Sequence, residues 1–214
     1  MPDFSQTEKN GKREQLLEVA ERLIAQHGFE AVSVRKIAKE AKMNIAMVNY
    51  YFESKDNMFD ELIKEKFTHT RDMLTELVNS SLSPWEKLLS TVDIYTEKFF
   101  KDRDFHRIVM REMSLSQRPD HVKRIIDHLA HSLGIVRQFI LDGQRDGMFR
   151  SVDVELTLAT VFGSFSALIS QGSLMCVMMQ EDCEDNIYSE KSRTRFSGHL
   201  KELLRAHLMA NRQK

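Results

Sequence analysis

SVRKIAKEAKMNIAMVNYYFESK, residues Ser33 to Lys55, reads as two short helices joined by a tight turn and followed by the start of a third. Ser33 is an N-cap for a first helix whose inner face carries Val34, Ile37, Ala38 and Ala41, apolar residues three and four apart. The opposite face carries Arg35, Lys36, Lys39 and Lys42 against one acid, Glu40. A turn over Ala41 to Met43 follows, in which Lys42 is tolerable if the local φ stays negative. Asn44 then caps a second helix, with Ile45 and Val48 pointing inward and Ala46, Met47, Asn49 and Tyr50 outward. Ser54 caps a third helix, and Lys55 sits in its first turn, where the helix dipole disfavours a cation. A neighbouring phosphate would account for that choice.

The outward set suits a DNA groove. Ala46 or Met47 can meet a thymine methyl, and the Asn49 amide can pair bidentately with adenine. Ser33, Lys36, Tyr51 and Lys55 suit phosphates, which position a module without reading sequence. Val34, Asn44 and Ile45, flanking these side chains, complete the expected interface, with Tyr50 at its exposed end. One such module reaches only a few base pairs, so specificity calls for two copies on a near-palindrome, ~34–36 Å apart.

Working outward, Lys12 to His27 forms a helix with Leu16, Leu17, Ala20, Leu23 and Ile24 on one face, and Gly28-Phe29 suits a Schellman stop. Gly28-Phe29, Ser33-Val34, Ile37-Ala38, Ala41, Tyr50-Tyr51-Phe52 and Ser54-Lys55, leading into a long amphipathic helix, resemble the DNA-binding end of TetR-type transcriptional regulators. The resemblance covers Lys12 to about Phe67, and Gly143 to Leu158 is also similar to the family. It implies an all-α protein, with an N-terminal three-helix helix-turn-helix DNA-binding domain over 1–53 and a larger helical effector-binding and dimerisation domain over 54–214, joined by the helix 54–79. It further implies a regulator, usually a repressor, whose homodimer is released from operator DNA by a small effector. Lys42 stands where the family usually has Gly, and Asn49 where it usually has an aromatic; both bear on which operator is read.

Composition agrees with an all-α chain. Eight Gly and three Pro in 214 residues sit at apparent helix ends, and long β-branched runs of period two are absent. A net charge of −1 leaves DNA affinity to a local patch, Arg35 to Lys42. The N-terminus MPDFSQTEKN lacks the apolar core of a signal peptide, and two cysteines make no disulfide framework, so a reduced, cytoplasmic protein is expected. The apolar run Val161 to Met179 is broken by Gly163, Gly172 and several serines; a buried helix suits it better than a membrane span.

Beyond residue 79, Ser83-Pro84-Trp85-Glu86 reads as a capping box opening a helix to about Lys101. Further helices are expected over Phe105 to Met113, Pro119 to Asp146, Asp153 to about Met179, and about Thr194 to Asn211, with a loop over Glu181 to Ser192. By the resemblance, the middle helices surround an effector cavity, mostly apolar, for which Tyr95, Phe99, Met113, Gln138, Phe162 and Ser166 are candidates. The last two helices are expected to pair across a dimer through Phe162, Ile169, Phe196, Leu200, Leu203, Leu204 and Leu208. That stripe would serve an intramolecular core equally well.

The sequence leaves room for three rival readings. A metal sensor would use His121, His128 and His131, at i, i+7 and i+10 on one helix, although an exposed polar face explains them more simply. A redox switch would use Cys176 and Cys183, the first read as a small buried hydrophobe and the second flanked by acids that disfavour a thiolate. A helix-turn-helix used only for protein docking is the third. An enzyme is not expected: no Glu-x-x-His pair, glycine-rich phosphate loop or nucleophile elbow occurs, and no cofactor is called for.

Overall fold

The computed structural model describes residues 4–115, 117–182 and 184–209. Among these all regular structure is helical: α1 (Phe4–His27), α2 (Val34–Glu40), α3 (Ile45–Phe52), α4 (Lys55–Asn79), α5 (Pro84–Lys101), α6 (Arg103–Leu115), α7 (Pro119–Arg145), α8 (Val154–Ser170), α9 (Gly172–Met179), α10 (Glu184–Ile187) and α11 (Glu190–Leu208). Phe149 and Met209 form one isolated antiparallel bridge.

The chain divides into two compact units. The first takes everything up to Phe67 together with Asp104–Ile125, and the second takes Thr68–Arg103 and the residues from Ile126 onward. Residue 53, the expected boundary, lies inside the first of these units. The start of α4, nearly all of α6 and the first turns of α7 belong with the N-terminal helices, because their apolar residues complete that core.

In the first unit the α1 face Leu16, Leu17, Ala20, Leu23 and Ile24 is buried as its spacing requires, with Ile37, Ala38, Val48, Phe52, Phe59, Leu62 and Ile63. From the later segment, Phe105, Ile108, Val109 and Ile125 join this core. Phe67 meets Phe105 edge-on at 5.3 Å.

In the second unit, α5 begins with the capping box read from its sequence: the Glu86 carboxylate accepts from Ser83 N–H at 2.8 Å, and Ser83 Oγ accepts from Glu86 N–H at 3.3 Å. Phe99, Phe165 and Phe196 form an aromatic cluster, Phe165 lying 4.6 Å from Phe99 and 5.1 Å from Phe196 between ring centroids. Arg150 ties the loop before α8 to the end of α11, its N–H donating to Leu208 O at 2.8 Å and its side chain to His207 O.

Several elements differ from the sequence reading. The helix expected from Asp153 to Met179 breaks at Gln171, and α8 and α9 meet at 106°. No single helix among the described residues is long and apolar enough to cross a membrane; only this bent pair has the length and composition together. The acidic stretch read as a loop holds the short helix α10, fixed by fully buried Ile187 and by Tyr188, whose hydroxyl donates to Leu168 O at 2.9 Å. α1 starts at Phe4, ahead of the expected Lys12, and α11 starts at Glu190, capped by Ser189.

The stripe Phe196, Leu200, Leu204 and Leu208 is buried inside the single chain, as is Ile169. These side chains are core, which corrects their assignment to a dimer surface; Leu203 and Phe162 are half-buried. Of the effector candidates, Gln138 is exposed and donates to Asp142 at 2.8 Å, so it lines no cavity. Met113 lies in the first unit, while Tyr95, Phe99, Phe162 and Ser166 lie in the second.

Candidate nucleic-acid interface

The geometry of α2 and α3 is set by their caps. Ser33 is extended (φ −93°, ψ 153°) and its Oγ accepts from Lys36 N–H at 3.1 Å; Asn44 is likewise extended and its Oδ1 accepts from Met47 N–H at 2.8 Å. Between them the chain reverses in a Schellman motif: Met43 N–H donates to Ala38 O at 2.8 Å and Lys42 N–H to Lys39 O at 3.1 Å. The residue this motif puts in the left-handed region is Lys42, at φ 56°, so the condition of a negative φ there is not met. A non-glycine residue pays about 1 kcal/mol or more for that conformation.

Gly28 closes α1 by the simpler left-handed cap, its N–H donating to Ile24 O at 2.8 Å with φ at 83°. The positive φ is what favours glycine here; a Cβ would also lie 2.8 Å from the Arg111 guanidinium carbon, the mobile end of a side chain that can shift aside.

α3 is anchored by two side chains, Val48 and Phe52, and shows the rest. Tyr50 is 68% exposed and Ile45 43% exposed, which corrects the inward placement of Ile45. Ala46 and Asn49 are exposed as well, and Met47 is half-buried. Tyr51 packs edge-on against Tyr50, with ring centroids 5.1 Å apart. On α2, Arg35, Lys36 and Lys39 are exposed, and the acid among them, Glu40, is taken by Arg22 at 3.1 Å. The outcome is a cationic helix beside a short helix bearing one amide, two phenols and apolar groups. The caps occupy one acceptor each on Ser33 and Asn44, leaving the Ser33 hydroxyl proton and the Asn44 amide N–H groups as donors.

α3 ends in a strained joint. Glu53 has φ 64° and ψ −44°, and Ser54 N–H donates back to Phe52 O at 2.6 Å. These are the marks of the rare form of γ-turn. Immediately after it, Lys55 behaves differently from its expected role on a phosphate. Its ammonium donates to Phe29 O at 2.9 Å and Val32 O at 3.0 Å, and lies 4.0 Å from the centre of the Phe29 ring. The carbonyls answer the puzzle of a cation in the first turn of a helix, and Lys55 serves to tie the joint to the loop before α2.

A second cluster of chemistry in this unit escaped the sequence reading. Glu112 is 3% exposed, in register with Phe105, Ile108 and Val109 on the buried face of α6. Arg118 grips it with two hydrogen bonds, 3.0 and 2.7 Å, and also reaches Glu30 while stacking 4.7 Å over Phe29. Burial alone would raise the Glu112 carboxyl, but His121 and Arg118 outweigh it and hold the group below its ordinary value. His121, also 3% exposed, lies flat on Phe59 at 4.5 Å and edge-on to Phe29 at 4.9 Å. Its Nε2 is 3.2 Å from Asp56, and its Nδ1 is 3.8 Å from Glu112. The visible signal was an acid at i+7 in an apolar face beginning at Phe105.

Among the described residues the metal reading finds no site. His121 is buried, correcting the exposed face expected for the three histidines, while His131 is exposed; among the described residues no group of three or more His, Cys, Asp or Glu is placed to share a metal. Cys176 is buried, and Cys183 lies outside the described residues.

Comparison with known proteins matches two stretches of the chain. Residues 16–62 match the family model "Bacterial regulatory proteins, tetR family", and residues 81–170 match "Tetracyclin repressor-like, C-terminal domain". The helix-turn-helix-type transcriptional regulator YttP of Bacillus subtilis is 32% identical over 109 residues, 50% of this chain and 53% of that protein, so this match spans about half the relative's length. The fatty acid metabolism regulator protein of the same organism is 22% identical over 165 residues, covering 76% of this chain and 84% of that one. Among solved structures, the regulator FadR from Bacillus subtilis in complex with stearoyl-CoA aligns with a TM-score of 0.70 at 22% identity, covering 89% of this chain and 96% of that one. A transcriptional regulator from Saccharomonospora viridis in complex with choline aligns with a TM-score of 0.73 at 19% identity, covering 94% and 100%.

Proposed function

This chain belongs to the TetR family of DNA-binding, ligand-responsive transcriptional regulators, and on that premise we propose that it is a homodimeric repressor reading a near-palindromic operator in the cytoplasm. The observation that carries the reading is α3, a helix held by Val48 and Phe52 that presents Ile45, Ala46, Asn49 and Tyr50 to solvent beside the cations of α2. Asn49 and Ala46 read base edges, with Ile45, Met47 and Tyr50 packing against the groove wall. Ser33, Val34, Lys36, Asn44 and Tyr51 hold the flanking backbone, where contacts position the module. Lys55 is left out of this set.

Dimerisation uses the outer face of α8 rather than the buried leucines of α11. Leu156 is 66% exposed, and Ala159, Thr160 and Gly163 continue the same exposed face at helical spacing, with half-buried Phe162 beside it. Small residues there allow a second helix to approach closely. Thr160→Glu with Gly163→Glu yields monomers that keep their helical content and bind operator poorly.

The effector proposed is a long acyl chain or its thioester, taken up in the second unit against the contacting rings of Tyr95, Phe99 and Phe165, with the Tyr95 hydroxyl, bonded to Ser132, as the polar group that orients it. Two relatives, one by sequence and one by structure, are a fatty acid metabolism regulator and a regulator holding stearoyl-CoA. Release requires only that the ligand favour the DNA-incompetent state by a few kcal/mol.

The test is selection of purified protein on a random-duplex library at physiological salt, with Tyr50→Ala beside it. An inverted repeat enriched by wild type and lost in the variant is expected; no enrichment by folded, dimeric protein would overturn the reading. Acyl-CoAs of increasing length, with choline as comparison, are then titrated into the complex, and release by long acyl chains alone is the expected result.

A further inference from the structure

The buried cluster on α6 and α7 is not accounted for by DNA contact, effector binding or dimerisation. Glu112 and His121 sit inside the first unit, and each is joined to an element near the reading helix. Glu112 holds Arg118, which reaches Glu30 and Phe29 in the loop between α1 and α2. His121 reaches Asp56, in the first turn of α4, and lies flat against Phe59 one turn further on. Asp56 is three residues beyond Glu53, whose left-handed backbone turns the end of α3 into α4. A strained joint holds one geometry only where its surroundings over-determine it. Lys55 pins the joint from the side of the loop before α2, and His121 pins it from the side of α7.

We infer that His121 and Glu112 are positioning residues for DNA recognition: through Asp56 and Arg118 they fix the γ-turn at Glu53 and so the angle at which α3 is presented. The inference rests on the operator-binding reading above. The cluster supplies no contact to DNA. It converts segment 104–125, distant in sequence from the helix-turn-helix, into part of the reading head.

The role separates from two alternatives by its signature. A residue that touched phosphate would lower the salt dependence of binding when removed, because fewer counterions would be released. An acid acting only through its charge would, when neutralised, strengthen binding to polyanionic DNA. A positioning acid does the reverse when its hydrogen bond is deleted, and its isosteric amide preserves function because the acceptor remains.

The experiment uses the duplex enriched by the full-length wild-type protein and measures its affinity against salt concentration. His121→Phe keeps a ring between Phe59 and Phe29 while removing the polar link; it is expected to bind about tenfold more weakly, with the dimer and the salt slope unchanged. His121→Gln, which retains a donor, is expected within about threefold of wild type. Asp56→Ala, at an exposed side chain, is expected to match His121→Phe, the double variant to lose no more than either single one, and Asp56→Asn to bind at least as well as wild type. Hydrogen exchange at residues 53–57 is expected to accelerate in both weakened variants. If wild type binds the duplex and His121→Phe and Asp56→Ala bind it equally well, the inference is overturned while the operator reading stands. A shallower salt slope overturns it in favour of phosphate contact. Should His121→Phe fail to fold, Asp56→Ala and Asp56→Asn decide alone. Failure of wild type to enrich any duplex removes the operator reading itself.

Discussion

α3 and α11 make opposite use of apolar side chains. α3 is short and mostly apolar, buries only Val48 and Phe52, and leaves Ile45, Ala46 and Tyr50 at the surface. α11 is longer and rich in charge, yet it hides Phe196, Leu200, Leu204 and Leu208 completely within its own chain. Both carry apolar residues at helical spacing, and both invite assignment to a binding surface. The difference is how much of the stripe the protomer itself consumes. An apolar group left outside by a well-anchored helix has a use beyond the fold, whereas one that fills the core has already been used.

The sharpest way to break this contrast is to place a charge on each helix. Leu200→Glu puts an unpaired carboxylate in the second unit and is expected to destabilise it by about 4 kcal/mol or more, seen as loss of cooperative melting. Ile45→Glu is expected to change stability by about 0.5 kcal/mol or less and to abolish operator binding, through repulsion from phosphate. A folded Leu200→Glu dimer, or an Ile45→Glu protein that still binds its operator, would reverse the assignments of the two helices.

How much of this was legible in the sequence depended on the range of the interaction involved. Caps are local, so Ser33, Asn44, Ser83 and Asp153 were readable, and each accepts the expected backbone hydrogen bond. The buried face of α1 followed from period 3.6 alone. Lys55, by contrast, looked unpaired in sequence, because its partners are carbonyls 23 and 26 residues away. The α11 stripe was ambiguous because periodicity marks a face as apolar without saying what covers it. Glu112 was the missed opportunity: an acid on the inner face of α6 requires a partner, and breaking such a buried pair costs about 3–5 kcal/mol. Finding that partner required the fold, since Arg118 lies beyond the end of α6.

The two left-handed caps around α2 sharpen the comparison on the reading-head side. At Gly28, φ is 83° and the Arg111 guanidinium occupies the space of a Cβ. Gly28→Ala is therefore expected to cost about 1–2 kcal/mol, the left-handed penalty, with the Arg111 side chain shifting aside, and to lower the melting temperature by several degrees. At Lys42 the same backbone region is held by a side chain the position does not need. Lys42→Gly is expected to stabilise the first unit by about 0.5 kcal/mol, relief of strain exceeding the extra freedom of glycine in the unfolded chain. Denaturant midpoints that moved in the same direction for both variants would show that one cap is misdescribed.

The last probe tests the second unit through Tyr95, and its effect fades with pH. Part of the residue is exposed, yet burial pushes its phenol up to about 12, against a weaker opposing pull from the Ser132 hydrogen bond. In the unfolded chain a tyrosine ionises near pH ~10. Below that pH both states keep the proton, and the phenol contributes its full stabilisation. Between pH ~10 and ~12 the unfolded chain gives up the proton while the folded one retains it, so this contribution is lost as pH rises toward the folded value. Tyr95→Phe should thus be less stable than wild type by about 1 kcal/mol at pH ~8, the worth of a hydrogen bond, and the deficit should shrink above pH ~10. Melts of both proteins across that range isolate the phenol, because lysines and arginines titrate alike in each. A deficit constant with pH would place the Tyr95 hydroxyl in solvent and remove it from the polar lining of the effector site.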